Sequence, residues 1–137
     1  MSLAQLDQAL QAVPFVATLG VRVEEARPGH VVLRLPHSPG ICNHVGAIHS
    51  AAVFAVGELA GAVALGTHPE LGTTKHLQKS TKIKYYLPST KDITAHATVT
   101  PEMVDAARRG SSIELAIKVL DGHGQDVAEL ATRFAFK

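Results

Sequence analysis

Residues 45–66, VGAIHSAAVFAVGELAGAVALG, constrain this chain more than any other stretch. The segment is about as long as a bilayer-spanning helix. It carries His49 and Glu58, however, and is built from Ala and Gly more than from Leu and Ile. An ionised carboxylate at mid-bilayer is costly, and no neighbouring segment repeats the pattern. A helix that is apolar on nearly all sides belongs inside a protein core. The rest of the chain must then supply a surface that wraps it.

Strand patterns supply that surface. Residues 20–27 and 30–36 are apolar or alternating, and Pro28-Gly29 between them predicts a hairpin turn. After the helix, KSTKIKYYLP places Thr81, Ile83 and Tyr85 on one face and Lys82, Lys84 and Tyr86 on the other. DITAHATVT, SSIELAIKVLD and DVAELATRFAFK alternate as well, the last two joined by Gly122-His123-Gly124. Residues 2–12 predict a short amphipathic helix, capped by Ser2 and ended by Pro14. The expected class is α+β, with a curved antiparallel sheet of about six strands around one long central helix. Gly57 and Gly61 would let the sheet approach that helix closely.

Composition narrows the function classes. A chain of 137 residues is one domain, here 1–137. Apolar residues at 46% argue against disorder. Thirteen basic against twelve acidic residues, a net charge of +1, argue against general nucleic-acid binding. A single cysteine, Cys42, excludes an internal disulfide, and no signal-peptide pattern is read, so a cytoplasmic location is expected. The eight histidines show no metal-ligand spacing, and no metal site is expected.

Polar groups inside apolar sequence are where chemistry is sought. Glu58 lies mid-helix with apolar or Gly neighbours, so it should be paired or functional. His49 falls at the start of the helix, where free N–H groups can hold an oxyanion. Asn43, His44 and Gly46 precede it in the loop, and Asn43 is also a good turn former. From His49 to Glu58 is nine residues, a rise of about 13 Å. One chain does not easily place both on one substrate atom, whereas a symmetric dimer can. Cys42, with His44 two residues on, is a weaker nucleophile candidate.

The run Asn43-His44-Val45-Gly46-Ala47-Ile48-His49-Ser50-Ala51, continuing to Glu58, resembles the signature of hotdog-fold acyl-CoA thioesterases. It is similar to the branch of the phenylacetate-pathway and 4-hydroxybenzoyl-CoA thioesterases. Tyr85-Tyr86-Leu87-Pro88 resembles the strand end that follows the helix in that family, and the element order agrees along nearly the whole chain. The resemblance implies a homodimer or homotetramer with sites at the interface. It implies that Glu58 is nucleophile or general base, that Asn43 positions water or substrate, and that the Ser50 N–H polarises the thioester carbonyl beside His49. Gly46 falls in the substrate-binding loop. The family's His-Gly-Gly is His49-Ser50-Ala51 here, which alters the backbone approach.

Coenzyme A would enter as part of the substrate, with no separate cofactor. Its phosphates call for cations, and Arg108 and Arg109 in an expected hairpin, with Lys82 and Lys84 on the strand, are the candidates. The expected activity is acyl thioester hydrolysis. Two rivals stand beside it. One is a hotdog hydroxyacyl dehydratase using His44 and Glu58. The other is a non-catalytic acyl-CoA or lipid-binding module. No nucleic-acid partner and no membrane span are expected.

Overall fold

The computed structural model describes residues 1–136. The chain runs α1 (Leu3–Gln11), α2 (Pro14–Leu19), β1 (Arg22–Arg27), β2 (His30–Leu35), α3 (Ser50–Thr67), β3 (His76–Tyr85), β4 (Ile93–Thr98), α4 (Pro101–Arg108), β5 (Ile113–Leu120) and β6 (Asp126–Phe136). The six strands form one sheet in the order β1-β2-β4-β5-β6-β3, every pair antiparallel. This is the α+β arrangement that the strand patterns predict.

The alternation along each strand sets the core. Ile113, Leu115, Ile117 and Val119 of β5 face α3, opposite Phe134, Thr132, Leu130 and Ala128 of β6. On α3 the matching face is Ala52, Val53, Val56, Gly57, Ala60, Gly61, Ala64 and Leu65, all buried. Small residues bring the helix close to the sheet. A Cβ on Gly57 would stand 2.6 Å from a Leu130 methyl, so this position tolerates only glycine without movement. Although α3 is long and apolar enough to span a bilayer, half of it is buried inside this fold.

Three local expectations are corrected. Pro14 opens α2 at its first turn instead of only closing α1, as suits a residue with fixed φ and no N–H to donate. The segment after β4 is not a hairpin carrying Arg108 and Arg109 but the helix α4. Thr100 caps it, accepting from the Met103 N–H, Pro101 follows the cap, and Arg109 ends it. Thirdly, α3 is not enclosed on nearly all sides. Phe54, Ala55, Glu58, Leu59, Ala62 and Val63 are half-buried and Ala51 is exposed, because the sheet covers only one side.

The expected Ser2 cap is present as a full capping box with Gln5. The two sheet edges differ. Against β1 lies α1, whose Asp7 accepts from the Val23 N–H at 2.8 Å and pairs with Arg22 at 2.6 Å. The other edge, β3, is ten residues long and pairs on one side only, with β6.

Candidate active site

The loop before α3 is built by backbone hydrogen bonds around Asn43. Its Oδ1 accepts from the N–H of Val45 and of Ala47, both at 3.0 Å, while its own N–H donates to the Ala47 carbonyl at 2.7 Å. Asn43 is therefore the turn former of the loop, and only its side-chain NH2 is left for a ligand. Gly46 sits at φ 80°, the left-handed region, which explains the glycine. Two neighbouring segments pin the loop to the body. The Ile48 N–H donates to the Ser89 carbonyl at 2.9 Å, and the His49 N–H to the Ile41 carbonyl at 2.8 Å.

His49 is the N-cap of α3, one position before the expected first turn. Its Nδ1 accepts from the Ala51 N–H at 2.9 Å. That bond requires an unprotonated Nδ1, so the neutral ring carries its proton on Nε2, which is free to donate outward. The N–H groups of Ala52 and Val53 bond to the His49 carbonyl. The Ser50 N–H, first in the helix, has no partner among the described residues. It is an orphan donor at the positive end of an 18-residue helix.

These groups open into a cleft of about 420 Å³, with Asn43, His44, His49, Ser50, Tyr85 and Leu87 among its walls. The Tyr85 hydroxyl donates to the Ser50 carbonyl at 3.2 Å, tying the end of β3 to the first turn of α3. Tyr86 also lines the cleft, and its hydroxyl donates to Glu129 at 3.1 Å, a bond that raises its phenol above the usual range. Tyr85, Tyr86 and Leu87 leave large apolar surface exposed in the wall of the cleft, and Val45 is exposed in the loop before α3.

The other candidates are placed elsewhere. Glu58 lies on the half-buried side of α3, with no hydrogen bond or ion pair among the described residues. It is thus less enclosed than its apolar neighbours in sequence imply. Lys82 and Lys84 stand on the convex face of the sheet, beside Ala131 and Glu129, away from the cleft. Arg108 is held by Glu70 through two bonds of 2.7 and 2.6 Å, which depress the Glu70 carboxyl below its usual range. Arg108 and Arg109 follow β4 at the end of the fold where α3 terminates, because Glu70 lies just past Thr67.

His37 is the residue sequence reading overlooked. Its Nε2 donates to the Gly46 carbonyl at 2.8 Å and lies 3.1 Å from Cys42 Sγ. The Cys42 thiol donates instead to the Ser38 carbonyl at 3.1 Å, and His44 is not its partner. Because a carbonyl only accepts, His37 Nε2 carries a proton and is no base for Cys42. No spacing rule flags such a contact. Among the described residues no three His, Cys, Asp or Glu side chains gather to hold a metal ion.

Comparison with known proteins now bears on this arrangement. The family model described as Domain of unknown function (DUF4442) matches residues 4–135. The chain belongs to the DUF4442 family. This DUF4442 chain resembles PA5026 of Pseudomonas aeruginosa, called a protein of unknown function and probable thioesterase, with TM-score 0.87 and 26% identity over 100% of this chain and 96% of that one. It also resembles the thioesterase HI1161 of Haemophilus influenzae, with TM-score 0.81 and 16% identity over 100% and 91% of the two chains. A mutant of the thioesterase PA1618 of Pseudomonas aeruginosa gives TM-score 0.79 and 16% identity, over 99% and 94%. No curated protein matches the sequence. The fold is that of the hotdog thioesterases.

Proposed function

We propose that this DUF4442 protein hydrolyses acyl thioesters of the acyl-CoA class at the N-terminal end of α3. The observation that carries the reading is the orphan Ser50 N–H, a helix-terminal donor in the wall of a cleft with exposed apolar surroundings. When water adds to a thioester carbonyl, the oxygen gains negative charge. A fixed N–H with a helix dipole behind it stabilises that charge more than it stabilises the ground state. The His49 Nε2–H is a second donor, and the Asn43 NH2 is available to orient water or the acyl oxygen.

Glu58 serves as the base, or as nucleophile, in this reading. Eight residues separate it from Ser50, about 12 Å along the helix. The Glu58 of a second copy, docked along the free β3 edge and the open side of α3, is the one that reaches the cleft. Water and thioester give a carboxylic acid and a thiol, with the water proton passing through the carboxylate. No metal or redox cofactor enters this scheme, and coenzyme A arrives with the substrate. Lys82, Lys84, Arg108 and Arg109 lie away from the cleft of their own chain, so any of them that meets the coenzyme A phosphates in this scheme comes from a second copy, and a contact at Arg108 has to displace Glu70. The name given to PA5026 supports the same activity class.

The test is thiol release from short, long and aryl acyl-CoAs, by the wild type and Glu58→Ala in parallel. Turnover lost in Glu58→Ala with folding intact supports the scheme. No turnover on any acyl-CoA by a folded, associated wild type refutes it for CoA esters. Saturable acyl-CoA binding would then favour the non-catalytic module.

A further inference from the structure

A second cavity, of about 360 Å³, lies at the other end of α3. Its volume falls within the range of small-molecule pockets. Leu6 of α1, Ala26, Pro28 and Val63 make its apolar walls, and Arg27 is the one charged side chain among its lining residues. Arg27 has no ion pair among the described residues, and no carboxylate lines the cavity. One wall is fixed in advance. The turn at Gly29 is tied to α3 by its N–H, which donates to Thr67 Oγ1 at 3.3 Å, and to the chain after β4 by the Val99 N–H, which donates to the Gly29 carbonyl at 2.7 Å. Val63 is thirteen residues past Ser50, about 20 Å along the helix. The cavity also lies at the β1 side of the sheet, opposite the β3 edge.

We propose that this cavity binds a medium-chain aliphatic carboxylate, with the alkyl chain between α1 and α3 and the head group on Arg27. An apolar chamber with an uncompensated guanidinium matches an anionic amphiphile in both shape and charge. Neutral apolar ligands would leave Arg27 unused, and short polar anions would leave the walls wet. The site is independent of thioester chemistry, although the carboxylic acid released in the proposed reaction belongs to the ligand class.

Butyrate, hexanoate, octanoate and decanoate are titrated into the intact protein, read by calorimetry and by methyl NMR. Affinity should rise about fourfold per added methylene until the chamber is full, then level off. Methyl shifts should concentrate on Leu6, Ala26 and Val63. Arg27→Gln, at an exposed position, should weaken octanoate roughly tenfold and leave 1-octanol unchanged. Val63→Phe should fill the chamber and abolish binding of both. The proposal fails if no member binds saturably, if affinity is flat with chain length, if the shifts fall on Ile48 and Val53 of the cleft, or if Arg27→Gln weakens acid and alcohol alike.

Discussion

Ser50→Pro separates the proposed catalytic donor from the fold that presents it. Ser50 is the first residue of α3, and its N–H makes no bond within the described chain. Proline is favoured at this position, because the missing N–H is one a helix does not use. The preceding His49 sits at φ −60°, ψ 141°, the extended region that a following proline demands. The substitution therefore deletes one hydrogen and leaves the helix in place, with stability changed by well under about 1 kcal/mol. If that hydrogen holds the oxyanion, kcat falls about a hundredfold to a thousandfold, some 3–4 kcal/mol of barrier. Ser50→Ala is the control, since it keeps the N–H and should keep most of the activity. The assay is thiol release on the best acyl-CoA, with thermal melts of all three proteins. A folded Ser50→Pro that turns over within about threefold of wild type removes the Ser50 N–H from the mechanism, a far smaller loss than one oxyanion donor is worth.

Other perturbations test the supporting frame. The three glycines Gly57, Gly61 and Gly66 of α3 should respond to alanine differently, because a Cβ meets a Leu130 methyl at 2.6 Å, an Ile117 methyl at 3.1 Å, and nothing within 4 Å, respectively. Each change gains up to about 1 kcal/mol of helix propensity, but overpacking against the buried Leu130 costs about 1–3 kcal/mol. Melting temperatures should therefore rank Gly66→Ala above Gly61→Ala above Gly57→Ala, and the reverse order contradicts the packing. Asp7, held below the ordinary aspartate value of 3.8 chiefly by its hydrogen bond to Arg22, contributes stability that is present above that value and lost as pH falls through the lower folded one. Asp7→Asn should accordingly flatten the acid side of the stability–pH curve, measured by urea denaturation, and an unchanged slope speaks against the pair. Asn43→Asp keeps an oxygen for the Val45 and Ala47 N–H groups but removes the amide donor. It should melt near wild type yet lose about tenfold or more in kcat/KM, and full activity assigns Asn43 to the loop alone.

What the sequence disclosed follows the range of the interactions involved. The long helix, the six strands and the Ser2 cap were legible because periodicity and capping are local. The helix α4 was missed although Thr100-Pro101-Glu102 is a good helix opening, because Arg108-Arg109-Gly110-Ser111 after it looks like a turn between strands. In the structure Gly110, at φ 75°, closes that helix. Pro14 was read only as a terminator, and it both follows one helix and begins the next. Apolar neighbours on both sides of Glu58 said nothing about whether this chain covers the third side of the helix, and it does not. The Asn43 and His37 contacts lie between a side chain and loop backbone, where no periodicity operates. The cleft was legible as a motif, while the hydrogen bonds that hold it open were not.

The separation of Glu58 from Ser50 along one helix yields a test that neither single variant can supply. If each site takes its Ser50 N–H from one chain and its Glu58 from the other, Glu58→Ala and Ser50→Pro damage every site of their own homodimers. A mixed dimer differs. One of its sites pairs the intact Ser50 of the Glu58→Ala chain with the intact Glu58 of the Ser50→Pro chain, and its other site carries both defects. Random assortment makes about half the dimers mixed, so co-expression or co-refolding of the two variants should restore about a quarter of wild-type turnover. If both groups act within one chain, no combination contains a whole site and activity stays at the level of the parents. Restoration well below a quarter, with mixing verified by differently tagged chains, would place Glu58 and Ser50 of each site on the same polypeptide. The open side of α3 would then need an explanation other than a shared site.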